Sequence, residues 1–217
     1  MTHVVPTGIS RGLCRERAEQ IATEIQGRLG AVPPLFAPVR DIPDVLGSLW
    51  LQAQSAWLDN PLPPLLKEKL FARLSRHCPA SYCLVWHSCA LAGLGMTGGE
   101  ILRLLQAPVG TLDSGQDPDA ELLRCSEAAF LYATRVPGTQ AEVRRLLGRE
   151  LSGHWTLLLA YIQTCHLWTL SHPEISAEDD PAVRRQLEAW QQEEPQLVEW
   201  LRSYRETATR RRPAPGK

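Results

Sequence analysis

The sequence has almost no net charge and no long apolar run. Its 217 residues include 23 Lys and Arg against 24 Asp and Glu, which leaves a formal net charge of -1. Such a balance favours neither a nucleic acid nor an anionic membrane as a partner. The most apolar stretch, residues 155–170, contains Gln163 and His166 and is shorter than the roughly 20 residues that span a bilayer. We therefore expect no nucleic acid and no membrane among its partners.

An export signal is also lacking. Residues 1–9 contain no basic segment followed by an apolar run, which predicts a cytoplasmic protein. In that reducing compartment, the six cysteines are expected to be thiols rather than a disulfide framework. The Arg-rich end, residues 208–217, is predicted to be a disordered basic tail.

The alternation of polar and apolar residues that marks strands is missing as well, and helix signals dominate. Apolar residues such as Ala18, Ile21 and Ile25 recur at helical spacing. Thr97 followed by Glu100 predicts a capping box at a helix start. The fold is therefore predicted to be all-α, with roughly nine helices in one domain over residues 1–207.

The bounds of four helices follow from prolines, glycines and apolar periodicity. The fourth helix is expected to begin at Pro79, a residue favoured in the first helical position, and to end near Gly95. A long apolar helix is expected over residues 152–170, and amphipathic helices are expected over 181–192 and 195–206.

The densest chemistry lies in residues 78–89, CPASYCLVWHSC. Cys83 and His87 are four residues apart, so they share one face of a helix. A thiol acts as a nucleophile only after it loses its proton, and a neighbouring imidazole can accept that proton. His87 needs a group that fixes its tautomer, and Glu68 is the candidate because a helix hairpin would return it to this face.

This spacing resembles the motif of the alkylhydroperoxidase-D-like (AhpD-like) and carboxymuconolactone-decarboxylase-like superfamily. That motif is a Glu, then twelve residues on a Cys-x-x-Cys, then three residues and a His. Glu68, Cys83 and His87 stand in register with it, and Ala80 stands at the first Cys. Roughly residues 30–185 further resemble a subtype found at the front of some bacterial sensor kinases, through residues 60–63, 67–70, 75–76, 87–89, 166–169 and 172–174.

The resemblance implies an AhpD-like helical bundle that reduces peroxides without a cofactor. Glu68 would orient His87, His87 would deprotonate Cys83, and Cys83 would attack the peroxide to give a sulfenic acid. A peroxide and a thiol reductant are then the expected partners, and a homo-oligomer is expected because relatives assemble through helices. The family's resolving thiol is replaced by Ala80, so either Cys78 or an external thiol would have to resolve the sulfenic acid.

Other interpretations of the same residues stay open. The chain could be a non-catalytic redox-sensing or protein-interaction module with a signalling partner, which Ala80 and the sensor-kinase likeness favour. Cys83 alone would be a small buried apolar residue, and Glu68 alone a solvated one. The remaining cysteines have no acid–base neighbour in sequence and are expected to serve packing: Cys14, Cys125 and Cys165.

A zinc site is the remaining chemical alternative. Thiolate and imidazole are ligands that Zn²⁺ prefers, and four such groups lie close together in sequence: Cys78, Cys83, His87 and Cys89. One helix cannot direct four side chains at a single tetrahedral centre, so no metal is expected.

Overall fold

The computed structural model describes residues 8–109, 111, 119–132 and 136–211, with side chains described from residue 15 to residue 204 of these apart from residue 136. Over these residues the secondary structure is helical and contains no strand, which confirms the all-α prediction. The α-helices are α1 Gly8–Leu29, α2 Pro43–Ala53, α3 Pro64–Ser75, α4 Tyr82–Gly93, α5 Gly98–Gln106, α6 Ala120–Leu131, α7 Val136–Ser171, α8 Pro181–Glu193 and α9 Pro195–Arg211. None of the described helices is long and apolar enough to cross a membrane.

The chain divides into two compact units, Met1–Asp59 and Asn60–Lys217, so the predicted single domain over residues 1–207 spans both. In the first unit, α1 packs on α2, and a 3₁₀ helix, Pro34–Val39, connects them. Phe36 and Trp50 meet edge to face there, with ring centroids 6.3 Å apart. The end of α2 widens into a π-helical turn, Gln54–Leu58.

The second unit is built around α3, which is buried on all sides. Every residue from Leu66 to Ser75 is buried, because α4, α5, α6 and α7 all pack against this helix. Burial extends to its charged residues, and a buried charge is costly unless it is paired. The Lys67 ammonium donates to the carbonyl of Asn60 at 2.9 Å, and Lys69 lies 2.9 Å from the carboxylate of Asp119. α3 is therefore buried as completely as an apolar helix, although one third of its side chains are charged.

Arg73 carries the most extensive of these pairings. Its guanidinium donates to the Glu127 carboxylate of α6 at 2.9 Å. It also donates to the carbonyls of Leu104 at 2.6 Å and Pro108 at 3.0 Å, near the end of α5. His77 lies 2.9 Å from the second oxygen of the same carboxylate. This network fixes α3 against α5 and α6.

The predicted start of α5 is confirmed, whereas the predicted start of α4 is wrong. Thr97 accepts a hydrogen bond from the Glu100 amide at 3.3 Å, and Glu100 accepts one from the Thr97 amide at 2.8 Å, so the predicted capping box is confirmed. The predicted start of α4 at Pro79 is wrong, since α4 begins at Tyr82. Cys78 therefore lies in the connection between α3 and α4 rather than next to a helix start.

The longest helix, α7, consists of two helical parts that meet at a kink, and the second part begins close to the predicted residue 152. α7 runs from Val136 to Ser171 and is interrupted at Gly148, whose φ of 78° lies in the left-handed region that glycine adopts without a steric penalty. The last helix also exceeds its predicted end, because α9 continues to Arg211. Residues 212–217 of the predicted basic tail lie outside the described residues.

Candidate functional site

The structure brings Glu68 and His87 together. Glu68 lies on α3 and His87 on α4, and the hairpin of these two helices places Glu68 Oε2 2.6 Å from His87 Nδ1. Both residues are 6% exposed, so little water competes for the contact. A distance this short is typical of a charge-assisted hydrogen bond. A neutral imidazole held in this way carries its proton on Nδ1, because the carboxylate can only accept a hydrogen bond.

Aromatic side chains fix the plane of the His87 ring. Phe71, one turn beyond Glu68 on α3, stacks on the imidazole with ring centroids 3.8 Å apart and an interplanar angle of 12°. Trp86 meets the same ring edge to face at 4.9 Å. With the carboxylate on one nitrogen and two rings against it, the imidazole is held in a single orientation.

Cys83 lies one helical turn before His87 and is 1% exposed. Burial is the largest cause that raises the pKa of the Cys83 thiol well above its usual value, and the thiols of Cys165 and Cys78 raise it further. Hydrogen bonds with the Thr169 hydroxyl and with its own backbone act in the opposite direction. The thiol is therefore protonated at neutral pH in this packing.

Cys165 belongs to the same buried group, which the sequence analysis missed. It lies on α7, where burial raises the pKa of its thiol to about 12 and a hydrogen bond with Tyr161 opposes the shift. The pKa of Tyr161 is raised too, first by burial and then by Cys165 and Cys83. In sequence, a helical face with Tyr161, Cys165 and Thr169 at four-residue spacing is the signal that could have drawn attention to it.

The other two cysteines near the motif have different surroundings. Cys78 is buried in the connection between α3 and α4, where its sulfur accepts a hydrogen bond from the Ala80 amide at 3.4 Å. Its carbonyl also accepts a hydrogen bond from the Tyr204 hydroxyl of α9. Cys89 is half-buried on α4, and burial followed by the charge of Asp180 raises the pKa of its thiol to about 12.

A second histidine lies next to this group. His166 Nε2 is 2.8 Å from the Ser75 hydroxyl, and Phe130 meets the ring edge to face with centroids 5.5 Å apart. Burial, followed by the charges of His87 and His77, lowers the pKa of His166 to about 3. His166 is therefore a neutral hydrogen-bonding ring at physiological pH, which suits a structural role.

Access and metal binding are both restricted. A groove of about 350 Å³ is lined by Val85, Leu187 and Leu201 among others, but neither Cys83 nor His87 lines it. A peroxide can therefore meet the Cys83 sulfur only after neighbouring side chains move. Among the described residues, no group of three or more His, Cys, Asp or Glu side chains is arranged to hold a metal ion.

Comparison with protein-family models, with curated proteins and with solved structures finds no match to this chain. What the arrangement can do chemically follows from its own contacts. A buried carboxylate–imidazole pair can accept and hold a proton, and a thiol one turn away can supply one. Besides burial, the Cys165 thiol on α7 raises the pKa of the Cys83 thiol.

Proposed function

We propose that this chain is a thiol-dependent peroxidase-like protein of the AhpD-like type, in which Cys83 reduces a hydroperoxide with the help of His87 and Glu68. The observation that carries the proposal is the 2.6 Å hydrogen bond between Glu68 and His87, which joins two helices in a buried place. A carboxylate that holds an imidazole in one tautomer prepares it to accept a proton. Cys83 is the thiol one helical turn away from that acceptor.

In the proposed reaction, His87 takes the proton of the Cys83 thiol, either directly or through one water molecule. The thiolate attacks one oxygen of the peroxide, the O–O bond breaks, and the second oxygen leaves as an alcohol after it gains a proton. Glu68 stabilises the imidazolium in the meantime. Cys83 is oxidised to a sulfenic acid, a second thiol condenses with it and releases water, and a dithiol reductant restores both thiols.

The resemblance noted from the sequence supports the rest of the proposal. It favours a homo-oligomer with a hydroperoxide as substrate and a thiol as reductant. The burial of Cys83 adds one condition: the site must open locally before the peroxide reaches the sulfur, so turnover is expected to be limited by that opening.

Redox sensing without turnover is a second candidate, and the protonated, buried Cys83 favours it. Ala80 favours it too, since it stands at the first Cys of the family motif, which is the family's resolving thiol. In this case, a single oxidation of Cys83 would change the packing of α4, and a signalling partner would recognise the change. The peroxidase and the redox sensor both use the Cys83 sulfur. They differ in how fast the oxidised sulfur is reduced back to a thiol.

The test is the consumption of a hydroperoxide in the presence of a dithiol reductant by the wild type, by Cys83→Ser and by Cys125→Ser. Cys125 is a matched control because it is also buried, on α6, and burial also raises the pKa of its thiol. We expect consumption to be lost in Cys83→Ser and retained in Cys125→Ser. Equal rates in all three proteins would exclude the proposal. Single-turnover labelling of Cys83 by dimedone, without continued consumption, would support the sensing candidate instead.

A further inference from the structure

We propose that the exposed face of α7 is a docking surface for a second copy of this chain, and that two α7 helices pack there antiparallel about a twofold axis. This inference goes beyond the proposed function, because it uses no residue of the candidate site. It would stand even if Cys83 did not react with peroxides. It also gives a specific surface to the homo-oligomer that the resemblance favours.

The exposed face of α7 carries no Asp, Glu, Lys or Arg after Glu150, because residues 151–173 contain none of these residue types. A helix face that stays in water is normally polar and charged. Three leucines are exposed here instead: Leu157 by 44%, Leu167 by 68% and Leu170 by 38%. Leu167 is the most exposed large apolar side chain among the described residues. A charge-free apolar face of this kind indicates a surface that another protein covers.

The exposed positions of α7 also repeat with coiled-coil spacing. They recur alternately after four and three residues, which is the spacing of helices that pack side by side. We call this row the seam, and it consists of Gly153, Leu157, Ala160, Thr164, Leu167 and Ser171. All of these residues are exposed except Thr164, which is half-buried. The opposite face of the helix is buried and contains Trp155, Leu158 and Ile162. Packing inside the chain therefore does not explain the spacing of the seam.

The seam fits a second copy of itself. When two α7 helices run antiparallel and the twofold axis passes midway between Ala160 and Thr164, Ala160 of each copy faces Thr164 of the other. Leu157 of each copy then faces Leu167 of the other. The small residues at the centre let the helices approach, and the leucines fill the space on both sides. A parallel pair would bring like helix ends together, which the helix dipoles oppose.

The polar groups of the seam do not oppose its burial. The Thr164 hydroxyl donates to the Ala160 carbonyl of the same helix at 3.0 Å, and the Ser171 hydroxyl donates to the Leu167 carbonyl at 2.9 Å. A hydroxyl that already has a partner can be covered without being left unsatisfied. Because the seam has no charged residue, the twofold contact also brings no like charges together within it.

The size of the contact predicts a weak dimer. The seam extends from residue 153 to residue 171, which is about 27 Å of helix, and a helix is about 10 Å wide. Each copy would therefore contribute roughly 270 Å² through α7, against about 800 Å² per partner in a standard interface. Small interfaces belong to transient complexes. We therefore expect a reversible dimer with a dissociation constant on the order of 100 µM.

Sedimentation equilibrium of the full chain over about 5–500 µM tests this dimer. The weight-average mass of the wild type should rise from 24.2 kDa toward twice that value as the concentration increases. In Leu167→Glu the dissociation constant should rise by about 10²-fold, because two leucines lose their burial in each dimer and two carboxylates enter the contact.

Leu51→Glu is the matched control, because Leu51 is 64% exposed and lies on α2, outside the seam. Its dissociation constant should equal that of the wild type. A wild type that stays monomeric, an association that Leu167→Glu leaves unchanged, or an equal loss of association in Leu51→Glu would each overturn the inference.

Cysteine substitutions test the direction of the two helices. In the antiparallel pair, position 157 of one copy lies beside position 167 of the other, whereas the two copies of position 157 are about 15 Å apart along the helix axis. We therefore expect diamide to form a 157–167 disulfide in a mixture of Leu157→Cys and Leu167→Cys, located by peptide mass spectrometry. Each variant alone should form no link between its two α7 helices. A link between the two copies of position 157, or a mixture without the 157–167 link, would overturn the antiparallel arrangement.

Discussion

Replacing His166 by glutamine should remove a large part of the acid sensitivity of folding. In the folded chain, burial, followed by His87 and His77, lowers the pKa of His166 to about 3, against 6.5 for the free side chain. The unfolded chain therefore binds a proton at a pH where the folded chain does not. The contribution of this group is complete above about pH 6.5 and is lost as the pH falls toward 3.

The size of the effect follows from these two values. Between pH 7 and pH 5, a group with a pKa of 6.5 in the unfolded chain and about 3 in the folded chain costs about 2 kcal/mol of unfolding free energy. Glutamine cannot be protonated, but its amide can still form a hydrogen bond with the Ser75 hydroxyl. The loss of stability between the two pH values should therefore be about 2 kcal/mol smaller in His166→Gln than in the wild type.

Urea unfolding at pH 7 and pH 5, followed by tryptophan fluorescence, measures this difference. Leu158→Ala is the control, because it weakens the core of the same helix and keeps His166. The free energy of unfolding of Leu158→Ala should be lower than that of the wild type at both pH values. The difference between pH 7 and pH 5 should be the same in both proteins. If His166→Gln loses as much stability on acidification as the wild type, the buried neutral ring is not the cause and the argument fails.

Two other substitutions test the polar pairs on α3, and the exposed Glu121→Gln serves as control for both. Glu68→Gln keeps a hydrogen-bond acceptor for His87 but removes the negative charge. The rate at which hydroperoxide oxidises Cys83, measured by dimedone labelling, should therefore fall by about 10²-fold. An unchanged rate would show that Glu68 takes no part in the activation of Cys83. Glu127→Gln leaves the fully buried Arg73 without its counter-charge, so urea unfolding should show a loss of about 3–5 kcal/mol, against under ~1 kcal/mol for the control. A loss no larger than that of the control would show that the Arg73 contacts with the end of α5 suffice.

The helical fold was predictable because its signals are local. Apolar spacing and prolines mark the helices, and the Thr97–Glu100 capping box marks the start of α5. The start of α4 was predicted wrongly at Pro79, because the preference of proline for a first turn is a local rule. What holds this connection out of the helix is partly distant: the Tyr204 hydroxyl of α9 binds the carbonyls of Arg76 and Cys78.

Buried charge was the least predictable part of the fold. Beside Lys67 and Lys69, Glu68 on its own suggested a solvated face, and all three residues are buried. Asp119, the partner of Lys69, is 50 residues away, and Glu127, the partner of Arg73, is 54 residues away. Such pairings depend on which helices meet in three dimensions, and a pattern within one helix carries no information about that.

The candidate site also has one part that the sequence predicted and one part that it did not. Glu68 and His87 are 19 residues apart on adjacent helices, a separation that a hairpin brings together, and the expected contact is present. Cys165 and Thr169, which lie on α7, both affect the pKa of Cys83, and no spacing near Cys83 points to them. The depth of Cys83 below the surface was also not predictable, because it depends on how α5, α7 and α8 pack against α4.

The two histidine rings that contact α3 are bound by different side chains. Glu68 binds the ring of His87, whereas the neutral Ser75 hydroxyl binds the ring of His166. Because His87 lowers the pKa of His166, a proton that arrives on His87 makes His166 still harder to protonate. A proton taken from Cys83 would therefore remain on the ring beside the carboxylate, where it can return to the departing oxygen, and would not move on to His166. α3 thus contacts the His87 ring of α4 through a carboxylate and the His166 ring of α7 through a neutral hydroxyl, and in the proposed reaction only the first ring would change its charge.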